Sequence, residues 1–352
     1  MKRRVYIAYT GGTIGMRKGS DGWHPTPGLL KELMAGIAEL HHPSMPDYEV
    51  HEYQHLVDSA NMTPKDWWHI ALDIAAHHEA FDGFVVLHGT DTMAFTASAL
   101  AFLLEGLRKP VILTGSQIPL SEPRTDAREN LVTAIQIAGS IEVPEVCLYF
   151  GDKLLRGCRS VKVDAEGFDA FASPNLPPLA TVGVEIDVDR ELLCPLPDGP
   201  LHVALHHPAS IGTLRLFPGL SAALVRNLLQ PPMQGLILEG YGVGNAPNND
   251  APFLEAIAEA TARGVVIVDR TQCLRGGVKL GDYATGAGLA RAGVVSGYDM
   301  TMEAATTKLY WLLAQKLPVD EVRRRMQRDE RGELSRPTEQ GGRRWRLRKM
   351  VV

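Results

Sequence analysis

Short apolar runs recur along the chain and alternate with longer segments of helical pattern. Arg4–Thr10, Tyr48–Gln54, Gly83–His88, Val111–Thr114 and Pro144–Phe150 are rich in Val, Ile and Tyr and read as strands. Most are continuous rather than alternating, which suits strands buried on both faces of a parallel sheet. One helix is expected to start at Thr63-Pro64-Lys65-Asp66, with Thr63 as N-cap and Pro64 at the first helical position. Asp66 holds the third position, where a capping box prefers Glu or Gln. A second helix is expected from Thr92 to Leu107 and a third from Thr125 to Gly139. This β-α-β-α order predicts a doubly wound, mostly parallel α/β domain. Sites in such sheets lie beyond the C-terminal strand ends, where Thr13, Thr90, Ser116 and Gln117 all fall.

Between Pro174 and Pro208 the pattern decays under seven prolines, with short strands possible at Ala180–Ile186 and Leu201–Ala204. Alternation then resumes: a helix near Leu220–Leu229, a strand at Gly235–Leu238, a helix at Ala251–Arg263 and a strand at Gly264–Asp269. Helices near Met302–Gln315 and Val319–Gln327 follow. The expected organisation is an N-terminal catalytic α/β domain over 1–190, a linker over 191–210, and a smaller C-terminal α/β domain over 211–352 ending in a basic tail. No internal repeat or low-complexity tract appears.

Composition narrows the class. With 352 residues, 45% hydrophobic and 22% charged, the chain reads as soluble and globular. Its apolar runs are too short to span a bilayer, and its N-terminus shows no signal-peptide pattern, so a cytoplasmic location is the default expectation. A net charge of −5 argues against nucleic-acid binding. The C-terminal arginines are the exception: Arg323 to Arg331, then Arg343 to Lys349, interrupted by acidic residues. They read as a solvated helix end and tail, with a contact to an acidic partner as the alternative. Cys147, Cys158, Cys194 and Cys273 show neither disulfide nor zinc spacing.

Two segments carry the chemistry. Tyr9-Thr10-Gly11-Gly12-Thr13-Ile14-Gly15 and His88-Gly89-Thr90-Asp91-Thr92 each place a glycine-flanked threonine just after a strand. Glycine lets the backbone turn tightly and leaves its N–H groups uncovered. A hydroxyl nucleophile beside such donors is what amide cleavage needs. Neither segment is a P-loop or a dinucleotide fingerprint, and Gly240-Tyr241-Gly242-Val243-Gly244 is an equally weak dinucleotide signal. A hydroxyl needs a base to attack an amide. The candidates are the histidines, His88 at a strand end among them, or a desolvated lysine such as Lys162, which lies between two valines.

These segments resemble bacterial asparaginases of the cytoplasmic type (type I) across nearly the whole chain. The matching stretches are 9–16, Asp58-Ser59, 88–93, 113–120, Ser173-Pro174-Asn175, 241–247, Thr271-Gln272-Cys273 and 283–286. The resemblance implies that Thr13 is the primary nucleophile. It implies that Thr90, Asp91 and Lys162 form a second triad in which lysine acts through threonine as the base. Gly12, Asp58, Ser59, Gly89, Thr90 and Asp91 fall at the substrate, with Ser59 and Asp91 holding its α-carboxylate and α-amino ends. Ser116 and Gln117 match the loop behind the scissile amide. Asn245, Cys273 and Tyr283 match a neighbouring-subunit or effector region. The implied reaction is hydrolysis of L-asparagine through a threonine acyl-enzyme, with possible minor glutaminase activity, no cofactor or metal, and a homodimer or homotetramer.

Two positions depart from the pattern. Trp23 stands where the family carries a lid tyrosine, so His24 or Tyr9 substitutes for that hydroxyl or it is not essential. Glu239 stands where some members carry an arginine near an effector pocket. The segment from Met16 to Pro25 is polar and glycine-rich and is expected to be a loop that closes over the site, with Trp23 as its seal. The alternative function is an ammonia-releasing amidotransferase subunit acting with a tRNA-dependent partner. Such relatives carry an extra N-terminal domain, whereas this sequence opens on the first strand.

Overall fold

The computed structural model describes residues 2–20, 22–205, 207–280 and 284–335, with 284 and 285 as backbone alone. Tyr283 and the arginines beyond 335 lie outside the described residues. Eight strands form the larger sheet, in the order Ile186–Val188, Ala180–Val182, Lys153–Arg156, Val146–Phe150, Val111–Thr114, Gly83–Leu87, Arg4–Tyr9, Asp47–Glu52. The last five are mutually parallel, while Lys153–Arg156 and the short hairpin beyond it run antiparallel.

From Arg4–Tyr9 the chain moves outward to Asp47–Glu52, then returns across to Gly83–Leu87 on the other side. The winding direction therefore reverses between Arg4–Tyr9 and Gly83–Leu87, and ligands of doubly wound sheets bind at such a switch point. The two glycine-flanked threonines follow these two strands.

Alternation within the central strands divides the core. Val5, Ile7, Tyr9, Val85, Leu87 and Ile112 pack on one face with the helix Ala127–Ser140. Tyr6, Ala8, Phe84, Val86 and Leu113 pack on the other, against Pro64–His77 and Met93–Leu103. Met93–Leu103 is buried on nearly all sides because it also meets Met302–Ala314, where Phe102 stacks on Trp311 with ring centroids 5.4 Å apart. A helix apolar all round is one packed between layers. The second sheet is parallel, in the order Ile211–Arg215, Gly235–Gly240, Val266–Thr271, Val295–Ser296.

Several local expectations are revised. The helix expected to reach Leu107 ends at Leu103; Leu104–Glu105 turns extended and pairs with His202–Val203, and Gly106 takes a positive φ of 77°. The Met16–Pro25 segment is not an irregular loop. Met16–Gly19 and Gly22–Pro25 form an antiparallel hairpin that pairs Lys18 with Trp23. The arginines near 325 are not simply solvated. Arg325 lies over the Trp311 ring at 4.6 Å, and both Arg325 and Arg328 hold Glu330. The Thr63 start stands as expected, with Asp66 accepting the Thr63 N–H at 2.8 Å.

In the second sheet Asp269 is fully buried, and neither carboxylate oxygen has a hydrogen-bond partner among the described residues. A Cβ on Gly240 or Gly244 would come within 2.6 Å of one of its oxygens. Burial pushes the carboxyl up to about 8, against the smaller opposing pull of the Arg270 charge. The folded state then holds a proton that the unfolded chain releases above its ordinary value of 3.8. Stability from this group is therefore full below the unfolded value and falls as pH rises toward 8. Asp269→Asn keeps the shape and cannot ionise. Urea unfolding between pH 5 and 8 should show a shallower decline in the variant, by up to about 1.4 kcal/mol per pH unit. Identical slopes in wild type and variant would contradict this role.

Candidate active site

Gly11 and Gly12 end the first strand with φ of 126° and 88°, conformations open to glycine. A Cβ on Gly11 would lie 2.3 Å from the Val57 oxygen, and one on Gly12 would lie 2.3 Å from the Gly89 nitrogen. The two glycine turns thus meet backbone to backbone, Gly12 on Gly89. A Cβ on Gly89 would in turn meet the Ser59 Oγ at 2.5 Å. The absence of three side chains is what lets the 9–15, 57–59 and 88–92 segments converge. Thr13 opens a single 3-10 turn, Thr13–Gly15, after Gly12.

Lys162 is the centre of the polar cluster. It lies on Val161–Lys162, half of a small hairpin with Phe171–Ala172. Its Nζ donates to Thr90 Oγ1 at 2.9 Å and to Asp91 Oδ1 at 2.8 Å. The lysine side chain is 19% exposed, the aspartate 64%. Thr90, itself buried, donates its hydroxyl proton to Gln117 Oε1 at 3.2 Å. Among the described residues no direct hydrogen bond joins Thr13 to this cluster; the link is the Gly12–Gly89 contact.

His88, one of the candidate bases, is excluded from that role. It is fully buried, with Nδ1 2.7 Å from the Gly89 oxygen and Nε2 2.9 Å from Thr96 Oγ1. A carbonyl only accepts, so Nδ1 carries the proton and Nε2 accepts from Thr96. Burial lowers its pKa to about 4, against the smaller effect of the Gly89 bond. His88 is a neutral strut that holds the Gly89 carbonyl.

The remaining assignments fall into two groups. Ser59 is buried beside Gly89, Asp58 accepts the Ala60 N–H at 3.1 Å, and Thr92 donates to the Ser59 carbonyl at 2.8 Å. The buried Ser116 hydroxyl has no partner among the described residues. All of these border the convergence of the turns. Asn245 and Cys273 instead follow strands of the second sheet, where Asn245 closes a turn with Tyr241 and the Cys273 N–H meets Thr271 Oγ1 at 3.0 Å. Glu239 is paired within that sheet, at 2.5 Å from Arg270 and 3.9 Å from Arg215. Asn175 ties the two halves together by bonding the Gly276 carbonyl and N–H and the Asp299 carbonyl. Trp23 is 42% exposed on its hairpin. Tyr9 has its Oη under Gly15, where a Cβ would come within 2.0 Å. Burial, with the Glu52 charge adding, raises its phenol above the ordinary range, which disfavours it as a base.

Two supporting residues escaped the sequence reading. Asp126 precedes the helix Ala127–Ser140 but turns its carboxylate to the Gln117 and Ile118 N–H groups, at 3.0 to 3.1 Å, and so fixes the loop that carries Gln117. The Gly167 carbonyl accepts the Gln117 Nε2 at 3.1 Å. Among the described residues no group of three or more His, Cys, Asp or Glu is placed to hold a metal ion.

The profile "Asparaginase, N-terminal" matches residues 4–193, and "Glutaminase/Asparaginase C-terminal domain" matches 210–326. The chain is 52% identical over 334 residues to L-asparaginase 1 of Escherichia coli K12, covering 95% of this chain and 98% of that one. It is 45% identical over 360 residues to the human 60 kDa lysophospholipase, covering 96% of this chain and 62% of that longer protein. The crystal structure of L-asparaginase I from Vibrio cholerae aligns with a TM-score of 0.89 at 48% identity, over 95% of this chain and all of that one.

Proposed function

From the premise that the chain belongs to the asparaginase family, we propose that it hydrolyses L-asparagine to L-aspartate and ammonia through a threonine acyl-enzyme. The observation that carries this reading is the Lys162–Thr90–Asp91 cluster set across the Gly12–Gly89 contact from Thr13. Thr13 Oγ attacks the side-chain amide carbon and gives up its proton. The C–N bond breaks and ammonia leaves with a proton. Water, deprotonated through Thr90 and Lys162, then cleaves the aspartyl ester and restores the Thr13 hydroxyl. Backbone N–H groups of the glycine turns, with no side chain of their own to shield them, are the candidates to hold the oxyanion in this account.

Ser59 and Asp91 bind the substrate's α-carboxylate and α-amino ends in this account, and Ser116 and Gln117 back the scissile amide. A minor glutaminase activity belongs to the same proposal, since one extra methylene changes discrimination by only about 1–3 kcal/mol. So does self-association into a dimer or tetramer, with Asn245 and Cys273 on the side of the second sheet that meets a neighbour or effector. The direct test is ammonia and aspartate release from L-asparagine by the isolated protein. Equal amounts of the two products support the reading. Release only when a tRNA-dependent partner is added would favour the amidotransferase alternative.

The hairpin carrying Trp23 is expected to close on substrate and dry its indole. Asparagine binding should then change tryptophan fluorescence, and the change should vanish in Trp23→Ala. That variant should lose at least about tenfold in kcat/KM, whereas Trp23→Tyr should keep or improve activity. Wild-type fluorescence and kcat/KM in Trp23→Ala would rule out the closure.

A further inference from the structure

We propose that Asp164 is a positioning residue for the Thr90 hydroxyl, acting through Gly167 and Gln117. The inference rests on the reading of Thr90 and Lys162 given above. Asp164 lies in the turn that joins Val161–Lys162 to Phe171–Ala172, two residues past the lysine. It is exposed and touches none of the reacting groups. Its Oδ1 accepts the N–H of Glu166 at 2.8 Å and of Gly167 at 2.9 Å. These two bonds, that from Gly167 foremost, hold the carboxyl below its ordinary range. The carboxylate also lies across Gly167, where a Cβ would come within 2.5 Å of Oδ2. Glycine at 167 is thus matched to aspartate at 164.

The fixed peptide at Gly167 has a consequence for chemistry across the pocket. Its carbonyl accepts Gln117 Nε2 at 3.1 Å. A primary amide has opposite ends: nitrogen donates and oxygen accepts. A carbonyl facing one end therefore dictates which end faces the other way. Flipping the Gln117 amide would set two oxygens against each other at Gly167. It would also point a donor at Thr90, whose oxygen already accepts from Lys162. Held as it is, Gln117 Oε1 takes the Thr90 proton at 3.2 Å. The Thr90 oxygen consequently keeps a lone pair toward Lys162, and its rotor has one defined setting. The chain from Asp164 to Gly167 to Gln117 to Thr90 fixes the rotamer of the hydroxyl in the resting site, with its oxygen held on the Lys162 nitrogen to which the relay must pass its proton.

The plain alternative is that Asp164 only stiffens its own turn. The two roles separate in a double-mutant cycle, because residues acting in one chain are not additive. Asp164→Ala should lower kcat about five- to tenfold, the effect of one hydrogen bond or slightly more, with KM within about twofold. Asp164→Asn keeps the Oδ1 acceptor and should stay within about twofold of wild type. Gln117→Ala should lower kcat further, and adding Asp164→Ala to it should have no additional effect. A cycle in which the Asp164→Ala loss recurs in full on Gln117→Ala would overturn the proposal. So would an Asp164→Asn variant as impaired as Asp164→Ala, or a silent Asp164→Ala. Thr90→Val measured alongside separates the two levels. If it abolishes activity while the cycle is additive, only the role of Asp164 falls; if it retains activity, the reading of Thr90 falls and takes this inference with it.

Discussion

Thr13→Ala is expected to lower kcat for L-asparagine by at least about a thousandfold while the fold is retained. Thr13 is half-buried on a single turn, and among the described residues its side chain caps no helix and joins no ion pair. The substitution removes a hydroxyl and leaves the Gly11–Gly12 geometry, which the backbone contacts with Val57 and Gly89 maintain. Circular dichroism and the urea midpoint should therefore be close to wild type. Thr90→Val should cost a comparable factor, since under the proposed mechanism the acyl-enzyme does not turn over without the relay. Activity within tenfold of wild type in Thr13→Ala would show that the nucleophile is elsewhere.

Lys162→Met should lower kcat by several orders of magnitude with little change in asparagine binding. Methionine keeps an unbranched side chain, one heavy atom shorter, but offers Thr90 and Asp91 no donor. The stability effect should be small, because Asp91 is 64% exposed and its carboxylate is solvated without the lysine. Exposed pairs of this kind contribute about 0–1 kcal/mol. Steady-state kinetics and equilibrium binding to the inactive variant check the two halves separately. A large rise in Kd with kcat within tenfold would recast Lys162 as a binding group.

The parts of this site that a single segment encodes were legible in the sequence. Glycine flanking Thr13 and Thr90 announces tight turns after strands, and the continuous apolar runs announce a buried parallel sheet. What no segment encodes is pairing across the chain. Nothing local in Arg4–Tyr9 states that it lies between Asp47–Glu52 and Gly83–Leu87, and it is this order that creates the switch point. The Gly12–Gly89 contact depends on it. Asp164 and Gly167 carry a short-range signal, an aspartate three residues before a glycine, but their target Gln117 is 50 positions distant. The Met16–Pro25 hairpin was hidden because its residues are mostly polar and show no apolar alternation. Its clue was a pair of closely spaced glycines, 19 and 22, which face each other across the hairpin.

Acid quenching during turnover, followed by mass analysis of the peptides, tests the central claim most directly. The account predicts an aspartyl ester on the peptide that contains Thr13, absent in Thr13→Ala and enriched when Thr90→Val slows its hydrolysis. An adduct on the Thr90 peptide instead, or turnover of L-asparagine with no adduct even in Thr90→Val, would contradict a Thr13 acyl-enzyme.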